Sequence, residues 1–351
     1  MMIGFLVQSY LKCSSWQPRK VQKTTLGMLK AGPPGVKSIS ILASVPVAWS
    51  TYNVAVRLLY SIDHPPPAPL INVGNYLTSL ATFQIALLVR FALSKFSGSW
   101  QASESESSPE YESMISYYYA GFELGLYLFL GSTIQLEALK LTTASKAAFI
   151  VQTTSVLVPT IEAILGRFPF KKILPSVVLA SIGIILFSVD DPKSLGALDP
   201  SQLNLGDSLA LFAAVFYSLH VIRLGSLSSK LRDTFRLARA KTICQLCIAS
   251  VYATLALTST DGIGEYLDNV TFNDLQASAL ILVWLGAVTT AYPQWAQTRG
   301  QMSVPPSVAS ILYSTQPVWS SITAFVVLSE QLPLKDIIAG VAIISASLLA
   351  I

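Results

Sequence analysis

Unbroken apolar runs, each about as long as a bilayer is thick, decide what this chain can fold into. They lie near residues 39–60, 73–95, 117–138, 143–165, 172–189, 206–224, 239–258, 276–298, 305–328 and 333–351. A helix needs about 20 mostly apolar residues to cross the hydrocarbon layer. The runs are continuous rather than alternating and too long for strands, so helices are expected and a barrel is not. Only 12% of the residues are charged, against 52% hydrophobic. A water-soluble domain carries about 25% charge, so this chain lacks the groups to cover a soluble surface.

Charge placement gives the orientation. With the tail before the first run on the inner side, inner segments hold 18 of the 23 Lys and Arg residues. They include Arg19, Lys20 and Lys23 in the tail, and Arg223, Lys230, Arg232, Arg236, Arg239 and Lys241 in and around the connection from the sixth run to the seventh. Basic residues concentrate on the inner side of membrane proteins. The alternation predicts ten spans with both ends inside.

Two runs carry polar knots. The fourth contains Gln152, Thr153 and Thr154, and the ninth contains Ser314, Thr315 and Gln316. Aligned on these knots, Ala147 matches Ala309, Thr153 matches Thr315 and Ser155 matches Pro317. The runs before them are glycine-bearing, with Gly121, Gly125 and Gly131 in the third and Gly286 in the eighth. The chain therefore divides into a basic or transit-like tail (1–38) and two five-helix units (39–190 and 206–351). Five is odd, so the second unit enters from the opposite face and the two are inverted repeats. The expected fold is an all-α membrane protein of ten transmembrane helices. Inverted repeats are a signature of secondary transporters, with the solute held near the midplane between the halves.

The segments "ALKLTTASKAAFI", "SVLVPTIEAILG", "PSVVLASIGIILFS", "LGAVTTAY" and "PPSVASILYSTQPVWSSITAFVVLSEQLPLKDIIAGVAIISASLL" resemble the EamA-type transporters of the drug/metabolite transporter superfamily. The resemblance runs from about residue 39 to 351. It implies two inverted five-helix halves, a central cavity and alternating access. The chain departs from the family's pattern in three places. Gly166-Arg167 stands where "GE" is usual, Ser155 replaces the usual proline, and the chain stops at Ile351 without a basic tail, which reads as a shortened end.

A midplane site needs groups that hydrogen-bond a polar solute without a standing charge. Depth along the runs selects Asn53, Gln152, Thr153, Thr154, Thr289, Thr290, Tyr292, Gln294, Ser314, Thr315 and Gln316 as candidate cavity residues. Ser and Thr at such positions also bond their own backbone or glue helices together. Pro159, Pro293 and Pro317 favour kinks. Glu123 is the acid set well inside a run, a candidate for proton coupling or for pairing with a nearby cation. Glu162 reads as a partner of Arg167, and His220 as an interfacial residue beside Arg223. Spans nine and ten hold no Lys or Arg except Lys335 at an edge. A neutral, zwitterionic or amphipathic solute such as an amino acid is therefore expected, not a sugar phosphate.

The acid-free basic tail fits an organelle transit peptide or a cytosolic tail alike, and the resemblance to plastid-type members of the superfamily, with "RLLYSIDHPPPAP" after the first run, tilts the expected location to a plastid envelope, otherwise another cellular membrane. The stretch "SGSWQASESESSPEYES" reads as a solvated inner loop. Cys244 and Cys247 form a C-x-x-C inside an apolar run, where two small interior residues are expected rather than a metal or redox site. The pattern HExxH and a P-loop are absent, so neither an enzyme nor an ATP-driven pump is expected, and no cofactor or metal. Expected partners are a small organic metabolite, membrane lipid, a coupling proton and a second copy of the chain in a homodimer, but no nucleic acid. The competing class is a non-transporting membrane scaffold or receptor.

Overall fold

The computed structural model describes residues 35–96, 114–141, 150–167, 169–188, 205–231, 233–258, 266, 268–328 and 334–350. The basic tail up to residue 34, the Ser-rich loop at 97–113 and the start of the fourth run at 143–149 lie outside them. The described residues form helices and turns. These are α1 (Val36–Tyr60), α2 (Ala68–Phe96), α3 (Met114–Leu141), α4 (Thr154–Ile164), α5 (Phe170–Ser188), α6 (Leu205–Ser228), α7 (Thr234–Thr258), α8 (Phe272–Trp284), a π-helical stretch (Leu285–Ala291), α9 (Tyr292–Gly300), α10 (Pro306–Tyr313), α11 (Gln316–Leu328) and α12 (Leu334–Ala350).

Among the described residues, four segments are long and apolar enough to cross a membrane by length and composition: Val36–Tyr60, Ala68–Leu93, Leu205–Ser228 and Phe272–Gly300. Their outer faces carry large apolar side chains such as Leu77, Leu88, Val283, Leu280 and Leu211. An apolar surface of this extent is lipid-facing. The all-α membrane class expected from the runs is what the helices form.

Local sequence explains several helix ends. Thr271 begins α8 with a capping box: its side chain accepts from the Asp274 backbone N–H, while the Asp274 carboxylate accepts from the Thr271 backbone N–H. Asp233 opens α7 in a similar way, its Oδ1 accepting from the N–H groups of Phe235 (3.1 Å) and Arg236 (2.9 Å). Both caps satisfy otherwise unpaired first-turn donors. They also start α7 and α8 earlier than hydropathy alone places them. Gly166, at φ 66°, stops α4. The Arg167 N–H reaches the Glu162 carbonyl at 2.9 Å and the Gly166 N–H the Ala163 carbonyl at 2.9 Å, a Schellman turn in which the left-handed residue favours glycine.

Packing runs mainly between the first five helices and the rest. Helix α3 packs on α6 and α7, α2 on α7 and on the α8–π stretch, α1 on α9 and α11, α4 on α6 and α10, and α5 on α12. The α3–α7 contact is close because Gly121 and Gly125 lie four residues apart on α3. A Cβ on Gly121 would stand 2.8 Å from the Ala240 carbonyl carbon, and one on Gly125 2.9 Å from the Lys241 carbonyl oxygen. Small residues at this spacing let two helix backbones approach.

Candidate functional site

Both polar knots interrupt their helices. Gln152 and Thr153 form a turn just before α4, and Ser314 and Thr315 form a turn between α10 and α11. The backbone there tightens to three-residue spacing, with the N–H of Ser155 on the Gln152 carbonyl (3.0 Å) and the N–H of Thr315 on the Leu312 carbonyl (3.2 Å). The hydroxyls follow the same rule. Thr153 donates to the Ile150 carbonyl (2.6 Å), Thr154 to Val151 (2.7 Å), Ser314 to Ile311 (2.7 Å) and Thr315 to Leu312 (2.8 Å). These donors are spent on the broken backbone, the local use that Ser and Thr serve in membrane helices. Their oxygens keep acceptor capacity. Gln152 and Gln316 are half-buried, while Ser314 and Thr315 are buried.

The eighth run is reshaped at Pro293. Proline has no N–H and its ring crowds the carbonyl four residues earlier, here that of Thr289. The preceding stretch Leu285–Ala291 widens into a π-helix, a form that often accompanies functional sites. Freed groups find partners nearby. Thr289 donates to the Leu285 carbonyl (2.7 Å), Thr78 of α2 donates to the Leu282 carbonyl (2.8 Å), and Thr290 donates to Asn75 Oδ1 (2.9 Å). Tyr292 points away from the centre: it is 39% exposed and shares a 2.6 Å hydrogen bond with Ser44. Asn53 lies on α1, and its side chain falls outside the described residues.

Gln294 is the candidate that reaches a sealed polar centre. Its Nε2 donates to Gln245 Oε1 at 2.6 Å, and its Oε1 accepts from the Thr242 hydroxyl at 3.1 Å. Lys241 lies beside them, 0% exposed, with Nζ 3.4 Å from the Gln294 carbonyl. Hydropathy had placed Lys241 at the inner edge of a run starting at 239. The helix instead starts at Thr234, so Lys241 stands seven residues, or about 10 Å, along α7. His220 is not interfacial either. It is 1% exposed, its Nε2 has no hydrogen-bond partner among the described residues, and it is close enough to Lys241 for their charges to interact.

Two further carboxylates find defined partners. Glu123 pairs with Arg223 through two hydrogen bonds, one from Nε and one from Nη2 at 2.7 Å, and the two side chains stay 29% and 26% exposed. A cleft of about 530 Å³ lies against this pair, lined by Tyr119, Phe122, Tyr127 and Leu227. Glu162 is 4% exposed and accepts from the Ser307 hydroxyl (2.6 Å) and backbone N–H (3.2 Å). It therefore caps the start of α10 and ties α4 to α10, with the expected partner Arg167 near enough for their charges to interact. Cys244 is half-buried and Cys247 exposed, and neither is in a disulfide.

Lys241, Gln245 and Thr242 are not among the residues that depth along the apolar runs selects. The signal that finds them is the Asp233-Thr234 cap, which starts the helix early enough to carry all three inward.

Fold and exterior define an all-α integral membrane protein. A solved crystal structure shares the fold, with a TM-score of 0.65, 14% identity, and coverage of 90% of this chain and 96% of that one. Residues 204–351 match the EamA-like transporter family. That match bears out the EamA-type resemblance read from the sequence. A curated relative from Archaeoglobus fulgidus, described as an uncharacterized transporter, is 27% identical over 213 residues, which span 60% of this chain and 62% of the relative.

Proposed function

We propose that the protein is a secondary membrane transporter of a small organic metabolite, working by alternating access between two inverted five-helix halves. One observation carries this reading. The two knots break their helices at matched residues, Thr153 and Thr315, and the helices concerned, α4 and α10, pack on each other. A duplicated structural bundle has no use for paired helix breaks, since interrupted backbone at membrane depth is tolerated only inside protein or along a cavity.

The packing pattern supports the same reading. Exchanging the halves turns the α3–α6 contact into α1–α9, α3–α7 into α2 with the π stretch, and α4–α6 into α1–α11, while α5–α12, α4–α10 and α2–α7 map onto themselves. In this reading the ten spans place both ends on the inner side, the amides and hydroxyls at mid-depth meet the solute, and Glu123 exchanges a proton as its bond to Arg223 opens and closes. The solute class is an amino acid or a related zwitterionic metabolite.

The experiment is uptake into liposomes that contain only the purified protein and are preloaded with the standard amino acids. Saturable accumulation of the labelled amino-acid mixture above protein-free liposomes is expected. Uptake no faster than in protein-free liposomes would overturn the amino-acid assignment, and the same result across other small metabolites would favour the scaffold or receptor reading.

A further inference from the structure

Lys241 is the single fully buried cation among the described residues. Its ammonium has three donors, yet its one hydrogen bond is to the Gln294 carbonyl at 3.4 Å, longer than the usual range. No carboxylate pairs with it among the described residues. Glu123 is held by Arg223, and Glu162 is held by Ser307. A charge on this buried amine costs several kcal/mol while it has no anionic partner, a cost that an incoming carboxylate offsets, and ionisable side chains inside a membrane mark substrate and ion pathways.

The surroundings hold this group in place. Gly125 of α3 lies against the Lys241 carbonyl, so no side chain intervenes between the two backbones. Thr242, Gln294 and Gln245 form a hydrogen-bonded chain from α7 to α9 and back. His220 approaches from α6, its Nε2 without a hydrogen-bond partner among the described residues. Gln294 follows directly on Pro293 and the π-helical stretch, where the backbone is already broken from regular helical spacing. The groups converge from three helices, α6, α7 and α9, and lie about 9 to 17 Å in from the Ser228, Thr234 and Gly300 ends of those helices.

We infer that Lys241, supported by Gln245 and Gln294, is an anion subsite that holds the carboxylate of the transported solute. This rests on the transporter reading above and specifies its substrate as a monocarboxylate or a zwitterion. One ammonium and two amides match a single negative charge. A phosphate dianion stripped of water requires further charge-assisted partners, and the nearby Arg223 is engaged with Glu123. When the solute binds, the ammonium exchanges its long contact with the Gln294 carbonyl for a carboxylate.

The test has two arms, both on the full chain in liposomes with Cys13, Cys244 and Cys247 replaced by Ala. The first places Gln245→Cys beside the retained Lys241 and compares labelling by the anionic sulfonatoethyl methanethiosulfonate with its trimethylammonium counterpart. An anionic preference of about tenfold is expected from one unscreened positive charge nearby. Equal rates, a cationic preference or no labelling would overturn the subsite. The second arm measures uptake of the labelled amino-acid mixture by wild type and by Lys241→Gln. A drop of about tenfold or more in the variant supports the subsite, and wild-type uptake in it overturns the subsite while leaving transport intact. An anionic preference in the first arm with no wild-type uptake in the second overturns the amino-acid assignment and leaves the anion subsite standing.

Discussion

Among the described residues, two helical cations, Arg223 and Lys241, meet opposite fates. Arg223 of α6 lies in a half-exposed pair with Glu123 of α3, beside an open cleft. Lys241 of α7, which packs on the same α3, is fully buried with a single long contact to a carbonyl. Arg223 lies about 8 Å in from the Ser228 end of α6 and Lys241 about 10 Å in from the Thr234 end of α7, so depth barely separates them. What separates them is the company each keeps. A guanidinium that meets a carboxylate face-on is satisfied within the protein. An ammonium enclosed by amides and hydroxyls is left with capacity for an anion. In a membrane protein, the charge whose partner is missing says more about function than the charge that is paired.

Substitutions around the two centres sharpen this contrast. The largest effect is expected at Gly125→Val. The new side chain meets the Lys241 backbone carbonyl, which cannot swing aside. Overpacking of this kind costs about 1 to 3 kcal/mol or more. Loss of the monodisperse peak in size exclusion, or a large drop in thermal midpoint, would show it, and a wild-type midpoint would mean α3 and α7 are not held at this distance. Next comes Gln294→Leu, which leaves Gln245 Oε1 without its donor in a buried site, while Thr242 keeps its bond to the Ala238 carbonyl. An unsatisfied buried group costs about 1 to 3 kcal/mol, to be checked by the same midpoint measurement. Restoring stability with Gln294→Leu combined with Gln245→Leu would confirm that the chain of amides is the cause.

Arg223→Ala is expected to be milder. The pair is partly exposed, and such pairs contribute about 1 kcal/mol or less. A midpoint shift as large as that of Gln294→Leu would break the contrast between a satisfied pair and a sealed centre. The smallest effects are expected at Thr153→Val and Thr315→Val, each removing one local hydroxyl bond worth about 0.5 to 1 kcal/mol. The two shifts should match within error, because the matched turns use the same bond.

Much of this architecture is legible in the sequence. Apolar run lengths give helices, and Thr153 and Thr315 mark the two places where helices break. The resemblance over 204–351 comes from the same residues. Two things are hidden for physical reasons. Hydropathy stops a span at its first charges, so Arg236, Arg239 and Lys241 together look like a loop edge. Only the side-chain cap of Asp233 reveals that the helix continues through them. The direction of a hydroxyl is also invisible. Thr154 and Ser314 are polar at mid-depth, but whether they face a solute or donate to their own carbonyls depends on the turn they occupy. For His220 and Glu162 the sequence gives depth and neighbours along the chain, while the partners that matter come from other helices.

Transport by two variants tests the account most directly. Liposomes containing wild type, Lys241→Gln or Glu123→Gln are assayed for amino-acid exchange at equal pH and for uptake driven by a pH gradient. Lys241→Gln is expected to lose both activities, about tenfold or more, because the solute's carboxylate has lost its partner. Glu123→Gln loses gradient-driven uptake and keeps exchange. Wild-type exchange in a folded Lys241→Gln protein would contradict the central claim that the unpaired buried cation holds the solute.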